Sequence, residues 1–307
     1  MDFGTGDSLA VKVVSVHRIR PASASTYDAA AARFERLCEK EQQEPDFGEG
    51  SRLLTHGRPT AKAFVLIHGL TASPPQVAAL AERLFERGAN VFVPRLPRHG
   101  LRDRMSVSLA GLQAAELEAF AAEIAAIGAG LGERRTVAGF SVGGLLCAWI
   151  AQHYAFDRAV AIAPFLGTRW IPHRLAPNVA RVTLALPNAF VWWNPLVRER
   201  LGPAHGYPRF ATHAVAQVYA LVFDLFAAAA RSAPATREIL FVLNASESTV
   251  HNRNAMRLAR AWRRRGAAAV GFHVLHGLPP SHDIIEPLRT SNLARRLLPT
   301  LVDLIDR

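Results

Sequence analysis

The chain has 307 residues, half of them hydrophobic, with 36 Lys and Arg against 25 Asp and Glu for a net charge of +11; that suits one large α/β domain with an insertion, or two modest domains, around a sizeable core. No apolar run reaches the roughly 18 residues that cross a bilayer, the first residues lack a secretory signal's basic and apolar regions, and the two cysteines have no metal-ligand neighbour at useful spacing, so a cytoplasmic protein without an integral membrane segment or disulfide is expected. The positive charge is nearly all arginine spread along the chain, its one dense run Arg263-Arg264-Arg265 ends a predicted helix where cations complement the dipole, and no nucleic-acid motif accompanies it, so no nucleic-acid partner is expected.

Residues 1–60 read as an N-terminal extension packed on the core. It holds a short strand at 11–16, a helix at 26–41 with Ala30, Phe34, Leu37 and Cys38 on one face, and an edge strand at 51–55. From Ala63 a strand–turn–helix rhythm begins. The run 63–67 is apolar throughout, as for a strand buried on both faces, and a helix at 75–87 follows with proline in its first turn. Then come a strand at 91–93, an alanine-rich helix at 112–127, a strand at 136–140, a buried helix at 142–153 and a strand at 159–162. Residues 165–237 break the rhythm: they show no clear strand, are rich in proline and aromatics, and carry a helix at 212–230. The rhythm resumes with a strand at 239–243, a helix at 254–264, a strand at 270–275 and a helix at 287–305. Such alternation implies a mainly parallel sheet with helices on both faces. The expected organisation is a core of 61–165 and 237–307 with 166–236 inserted as a mostly helical cap over the C-terminal edge of the sheet.

The most informative stretch is Gly139-Phe140-Ser141-Val142-Gly143, between a strand and a helix. A serine flanked by glycines at i−2 and i+2 in that setting is the layout of a nucleophile elbow. The turn forces the serine into strained backbone geometry, and side chains at 139 and 143 would collide. The pentapeptide alone arises by chance in roughly one chain in ten of this length, so the surroundings decide. His68-Gly69-Leu70-Thr71 directly follows the 63–67 strand. An oxyanion hole needs two converging backbone N–H groups, here those of Val142 and Leu70; His68 itself reads as a loop histidine without a catalytic role. His273, His276 and His282 are the candidates for a general base. The first two lie in or at the end of a strand, whereas His282 sits in the loop before the final helix, from which it could reach back to Ser141. Glu247 is the only carboxylate in the loop after the 239–243 strand and could fix the histidine's tautomer; the alternative is a solvated loop glutamate.

The order Ser141, Glu247, His282, with each residue at a strand end, resembles the α/β-hydrolase fold. More narrowly, the stretch from Val65 to Pro74 and the string Pro94-Arg95-Leu96-Pro97-Arg98-His99-Gly100 are similar to those of bacterial carboxylesterases and monoacylglycerol-lipase-like hydrolases. The resemblance implies a serine esterase working on a small-molecule ester, with Ser141 as nucleophile, His282 as base, Glu247 at the acid position, Leu70 and Val142 as oxyanion donors, and no metal or organic cofactor. Two departures stand out: the acid position usually holds aspartate, and Arg98 replaces the usual glycine of the Pro-Gly-His-Gly turn. The aromatics Trp170, Phe190, Trp192 and Trp193 could line a substrate pocket or simply pack the cap. A thioesterase, lactonase or acyltransferase would use the same triad, and a non-catalytic binding module of this fold is the remaining alternative.

Overall fold

A computed structural model describes residues 26–196, 205–266, 269–285 and 291–307; the strand expected at 11–16 lies outside them. The chain opens with helix α1 (Tyr27–Gln42), started by Thr26, whose hydroxyl accepts the Ala29 N–H. Strand β1 (Arg52–Leu54) follows at the sheet edge, then β2 (Thr60–Ile67), α2 (Ala78–Glu86), β3 (Asn90–Val93), α3 (Ala114–Ala129), β4 (Gly132–Phe140), α4 (Val142–His153) and β5 (Arg158–Ile162). Pro74–Val77 forms a short 3-10 turn ahead of α2. After an excursion described below come β8 (Glu238–Asn244), α7 (Asn252–Arg264), β9 (Ala269–Leu275) and α8 (Ser291–Asp306).

The seven strands of the main sheet run in the order β1-β3-β2-β4-β5-β8-β9. Only β1 is antiparallel to its neighbour, pairing Leu53 with Phe92. Each central strand divides its side chains between two cores. Phe64 and Leu66 of β2, Val91 and Val93 of β3, and Val160 and Ile162 of β5 pack with residues of α2 and α8, including Leu84 and Leu301. Val65, Ile67, Phe92, Ala159 and Ala161 pack on the opposite face, with Ile124 of α3, Leu145 of α4, Trp262 of α7 and Leu225 of the excursion. Burial on both faces is why these strands read as continuous apolar runs. The alternation brings the C-terminal ends of β2, β4 and β8, and the loops that follow them, to one rim.

The excursion between β5 and β8 contains α5 (Ala176–Ala185), β6 (Phe190–Trp192), β7 (Arg209–Ala211) and α6 (Thr212–Arg231). Here the structure corrects the sequence reading, which expects no strand between 165 and 237: β6 and β7 form a two-stranded antiparallel sheet pairing Val191 with Phe210. At three residues each, neither strand is long enough to show an alternating pattern. Helix α6 is long and apolar enough to cross a membrane, but half of its most apolar window is buried inside the protein. It packs on α3, α4, α5 and α7 through residues such as Val218, Leu221, Val222 and Leu225, as a core helix does.

Candidate active site

Ser141 stands at the junction of β4 and α4 with φ 56° and ψ −113°, a left-handed conformation that a side-chain-bearing residue adopts only when its surroundings hold it. Three backbone bonds hold it. Its N–H donates to the Ile162 carbonyl at 3.0 Å, and its carbonyl accepts from Leu145 at 2.9 Å and Phe165 at 2.8 Å. The flanking glycines are required by close approach: a Cβ on Gly139 would run into the Gly143 carbonyl, and one on Gly143 into the Ile67 carbonyl. The hydroxyl therefore projects from the top of the sheet, with Ser141 8% exposed.

His282 bridges this serine to a carboxylate. Its Nε2 lies 2.8 Å from Ser141 Oγ and its Nδ1 3.0 Å from Glu247 Oε2. An ionised carboxylate only accepts, so Nδ1 carries the proton and Nε2 is the acceptor facing the serine hydroxyl. The ring packs on Phe140, centroids 5.0 Å apart. The loop carrying His282 is fastened by Asn244, whose amide donates to the carbonyls of Pro279 and Ser281, and by Ser248, whose hydroxyl donates to the Pro280 carbonyl.

Glu247 is 2% exposed. Burial pushes its carboxyl pKa up, but the hydrogen bond and charge of His282 and the N–H groups of Thr249 and Val250 outweigh burial and hold it below the ordinary value. Those N–H groups approach Oε1 at 2.8 and 3.4 Å, leaving Oε2 for the imidazole. The extra methylene of glutamate thus lets one carboxylate bond its own loop and His282 together. Arg169, just after β5, donates to the Glu247 carbonyl at 2.6 Å. His273 and His276, the other candidates from sequence, belong to β9 and the turn after it.

The loop after β2 carries Leu70, whose N–H, like that of Val142, bonds to no other group among the described residues. Its neighbours are tightly held. Gly69 N–H donates to Gln76 Oε1 at 2.8 Å, and Gln76 Nε2 reaches Asp283, next to His282, at 3.4 Å. His68 is fully buried and structural: Nδ1–H donates to the Gly69 carbonyl and Nε2 accepts the Leu96 N–H. His99 is its counterpart, accepting the Thr71 N–H at Nε2 and donating from Nδ1 to the Pro97 carbonyl. Burial holds the His68 pKa well below its ordinary value and lowers that of His99 to about 4, so both rings stay neutral acceptors. Arg98, at the position where the resemblance leads one to expect glycine, takes up a φ of 65°; its guanidinium is paired with Glu116 at 3.0 Å. The sequence reading assigns no role to Thr71, Gln76 or His99, although Thr71 and His99 fall in the two stretches that carry the resemblance.

The four aromatic positions separate. Trp170 is 81% exposed. Phe190 and Trp192 lie on one face of β6 against the Arg209 guanidinium, 4.2 and 5.9 Å from their ring centroids. Trp193 donates its indole N–H to Thr71 Oγ1 at 2.8 Å and so is joined to the loop beside Leu70. Among the described residues no group of three or more His, Cys, Asp or Glu is arranged to hold a metal ion.

Residues 64–293 match the model of a family described as the alpha/beta hydrolase family. Similar solved structures include one of the metagenome-derived lipolytic enzymes LipS and LipT, at TM-score 0.60 and 17% identity, covering 84% of this chain and 98% of that one. A monoacylglycerol lipase of Paleococcus ferrophilus matches at TM-score 0.57 and 18% identity over 82% of this chain and 98% of its own. A soluble variant of Saccharomyces cerevisiae monoglyceride lipase, solved with a substrate analog, matches at TM-score 0.58 and 13% identity over 84% and 91%. A search of the curated proteins gave no match.

Proposed function

The chain belongs to the alpha/beta hydrolase family, and from that premise we propose that it is a serine hydrolase cleaving small-to-medium carboxylic esters through an acyl-enzyme. The observation that carries this reading is the unbroken relay from Ser141 Oγ through His282 to Glu247 Oε2, with contacts of 2.8 and 3.0 Å, on a strained strand-to-helix turn. His282 Nε2 takes the hydroxyl proton as Ser141 Oγ attacks the ester carbonyl. Glu247 stabilises the imidazolium that forms and fixes its orientation. The developing oxyanion is met by the N–H groups of Leu70 and Val142, the latter at the start of α4, where the helix dipole adds to the field. As the tetrahedral intermediate collapses, His282 returns the proton to the leaving alcohol. Water activated by the same nitrogen then releases the acid. Residues 166–236 are read as a cap over this rim, contributing an apolar wall.

A fluorophosphonate probe should label Ser141, located by peptide mass spectrometry, and Ser141→Ala should lose both the label and turnover of p-nitrophenyl esters. Labelling that persists in the variant, or the absence of turnover across all acyl lengths by the unaltered chain, would overturn the reading. The same residues suit thioesters and lactones, so the panel should include one of each.

A further inference from the structure

Thr71 follows the proposed oxyanion donor Leu70 and is tightly constrained. It is 7% exposed and has a φ of 65°, an outlier for a β-branched side chain. All of its polar groups are engaged. The N–H donates to His99 Nε2 at 3.1 Å, the carbonyl accepts the Tyr207 N–H at 2.7 Å, and Oγ1 accepts the Trp193 indole N–H at 2.8 Å. The first of these comes from the core sheet's own loops. The other two come from the excursion between β5 and β8, at the two ends of the β6–β7 connection. Those ends are themselves tied, because the backbone N–H of Trp193 donates to the Pro208 carbonyl at 3.1 Å. Nearby, Ser73 Oγ donates to the His205 carbonyl at 3.0 Å, and the Tyr207 hydroxyl donates to the Arg98 carbonyl and accepts the Leu101 N–H, both at 3.1 Å. The Trp193 ring is braced by Phe210 of β7, centroids 4.6 Å apart.

We propose that Trp193 is a positioning residue: through Thr71 Oγ1 its indole N–H holds the loop that aims the Leu70 N–H, so full oxyanion stabilisation requires the β6–β7 sheet to be seated. The inference rests on the serine-hydrolase reading and on Leu70 as a donor. An indole N–H only donates, and this one is committed to the loop instead of to a bound ester. A residue that only lined the pocket would act on substrate binding; one that positions an oxyanion donor acts on the transition state and leaves ground-state affinity nearly unchanged.

The test is steady-state hydrolysis of p-nitrophenyl acetate by three variants and one combination. Trp193→Phe keeps a ring against Phe210 and removes the N–H. Thr71→Val keeps the branched shape and removes the acceptor. Each should lower kcat about 10–100-fold, short of deleting a donor outright, with KM changed less than about twofold, and a trifluoromethyl ketone should lose affinity by the same factor. Because one hydrogen bond is removed either way, the double variant should be no slower than the slower single one. Thr71→Ser, which keeps the acceptor, should recover most of the kcat lost in Thr71→Val. A raised KM at unchanged kcat, or losses that multiply in the double variant, would overturn the positioning role while leaving the hydrolase reading intact. An unaltered chain that neither turns over esters nor takes the fluorophosphonate would sink both.

Discussion

Glu247 divides its carboxylate between two tasks, with Oε1 on the Thr249 and Val250 N–H groups and Oε2 on His282. Two substitutions separate the charge from the reach. Glu247→Gln keeps the length but offers His282 either a neutral oxygen or an amide donor, which favours the wrong tautomer; kcat should fall about 10⁴-fold. Glu247→Asp keeps the charge and shortens the arm, so one of the two attachments must be given up; a misplacement of about 1 Å costs on the order of 100-fold. Initial-rate measurements on both variants, with KM followed, check the ranking. At this scale the sequence points to Ser141, His282 and Glu247 because the proposed chemistry asks for those residue types at strand ends, and the three lie within hydrogen-bond reach of one another. It gives Thr71 and His99 no role, because the groups that tie Thr71 down, on His99, Trp193 and Tyr207, are distant in the chain, and a positive φ at threonine or arginine leaves no mark in composition. Gln76 escaped for the same reason: its link from Gly69 to Asp283 exists only once β2 and the loop before α8 share a rim.

Among elements, the C-terminal end of α1 and the turn after it are attached to the sheet edge by an ionic cluster in which Arg95 and Glu41 are buried and Glu44 is partly exposed. Arg95, after β3, is bidentate to Glu44 at 2.6 and 3.0 Å and approaches Glu41 at 3.5 Å. Glu41 in turn accepts from the N–H and hydroxyl of Ser51, both at 2.7 Å, and the Ser51 hydroxyl accepts the Arg95 N–H at 2.8 Å. Since the Arg95 side chain is 2% exposed, Arg95→Met strands a buried carboxylate and should destabilise the fold by about 3–5 kcal/mol. Urea unfolding followed by circular dichroism measures this; a loss under 1 kcal/mol would mean the cluster is nearly neutral. Most helices were legible because their apolar periodicity or caps are local, and α4 and α6 run as their patterns predict to within a residue; α5 has no counterpart in the sequence reading. Strand β4 starts at Gly132, earlier than the apolar run at 136, because Gly132, Arg134 and Arg135 pair with Thr60, Lys62 and Ala63 of β2 while the two arginine side chains remain near solvent. Backbone pairing, unlike burial, needs no particular side chain.

The whole molecule carries two buried neutral histidines beside its site, and they contribute to its response to acid. For His99 the unfolded chain takes up a proton near pH 6.5, whereas burial delays protonation in the folded chain to about pH 4. Its contribution to stability is therefore complete above pH 6.5 and is lost as the pH falls through that window, about 2 kcal/mol by pH 5. His68, shifted in the same direction, adds to the slope, while the depressed pKa of Glu247 acts only below the ordinary carboxylate range. Melting temperatures should drop from pH 7 to pH 5, and less steeply in His99→Asn; a flat profile would contradict the burial of both rings. The order of the sheet has a consequence of another kind, for how the chain comes into being. Strand β5 pairs with β4 on one side and β8 on the other, yet residues 163–237 must be made before β8 exists. At about 5–20 residues per second, a ribosome leaves that edge of β5 unpaired for roughly 4–15 s. All five residues of β5 are buried in the finished fold, so in that interval an apolar strand edge is open to any neighbouring chain. The excursion that supplies Trp193 and Tyr207 to the mature protein is thus an interval of exposure during its synthesis, and lengthening it would first be felt as yield.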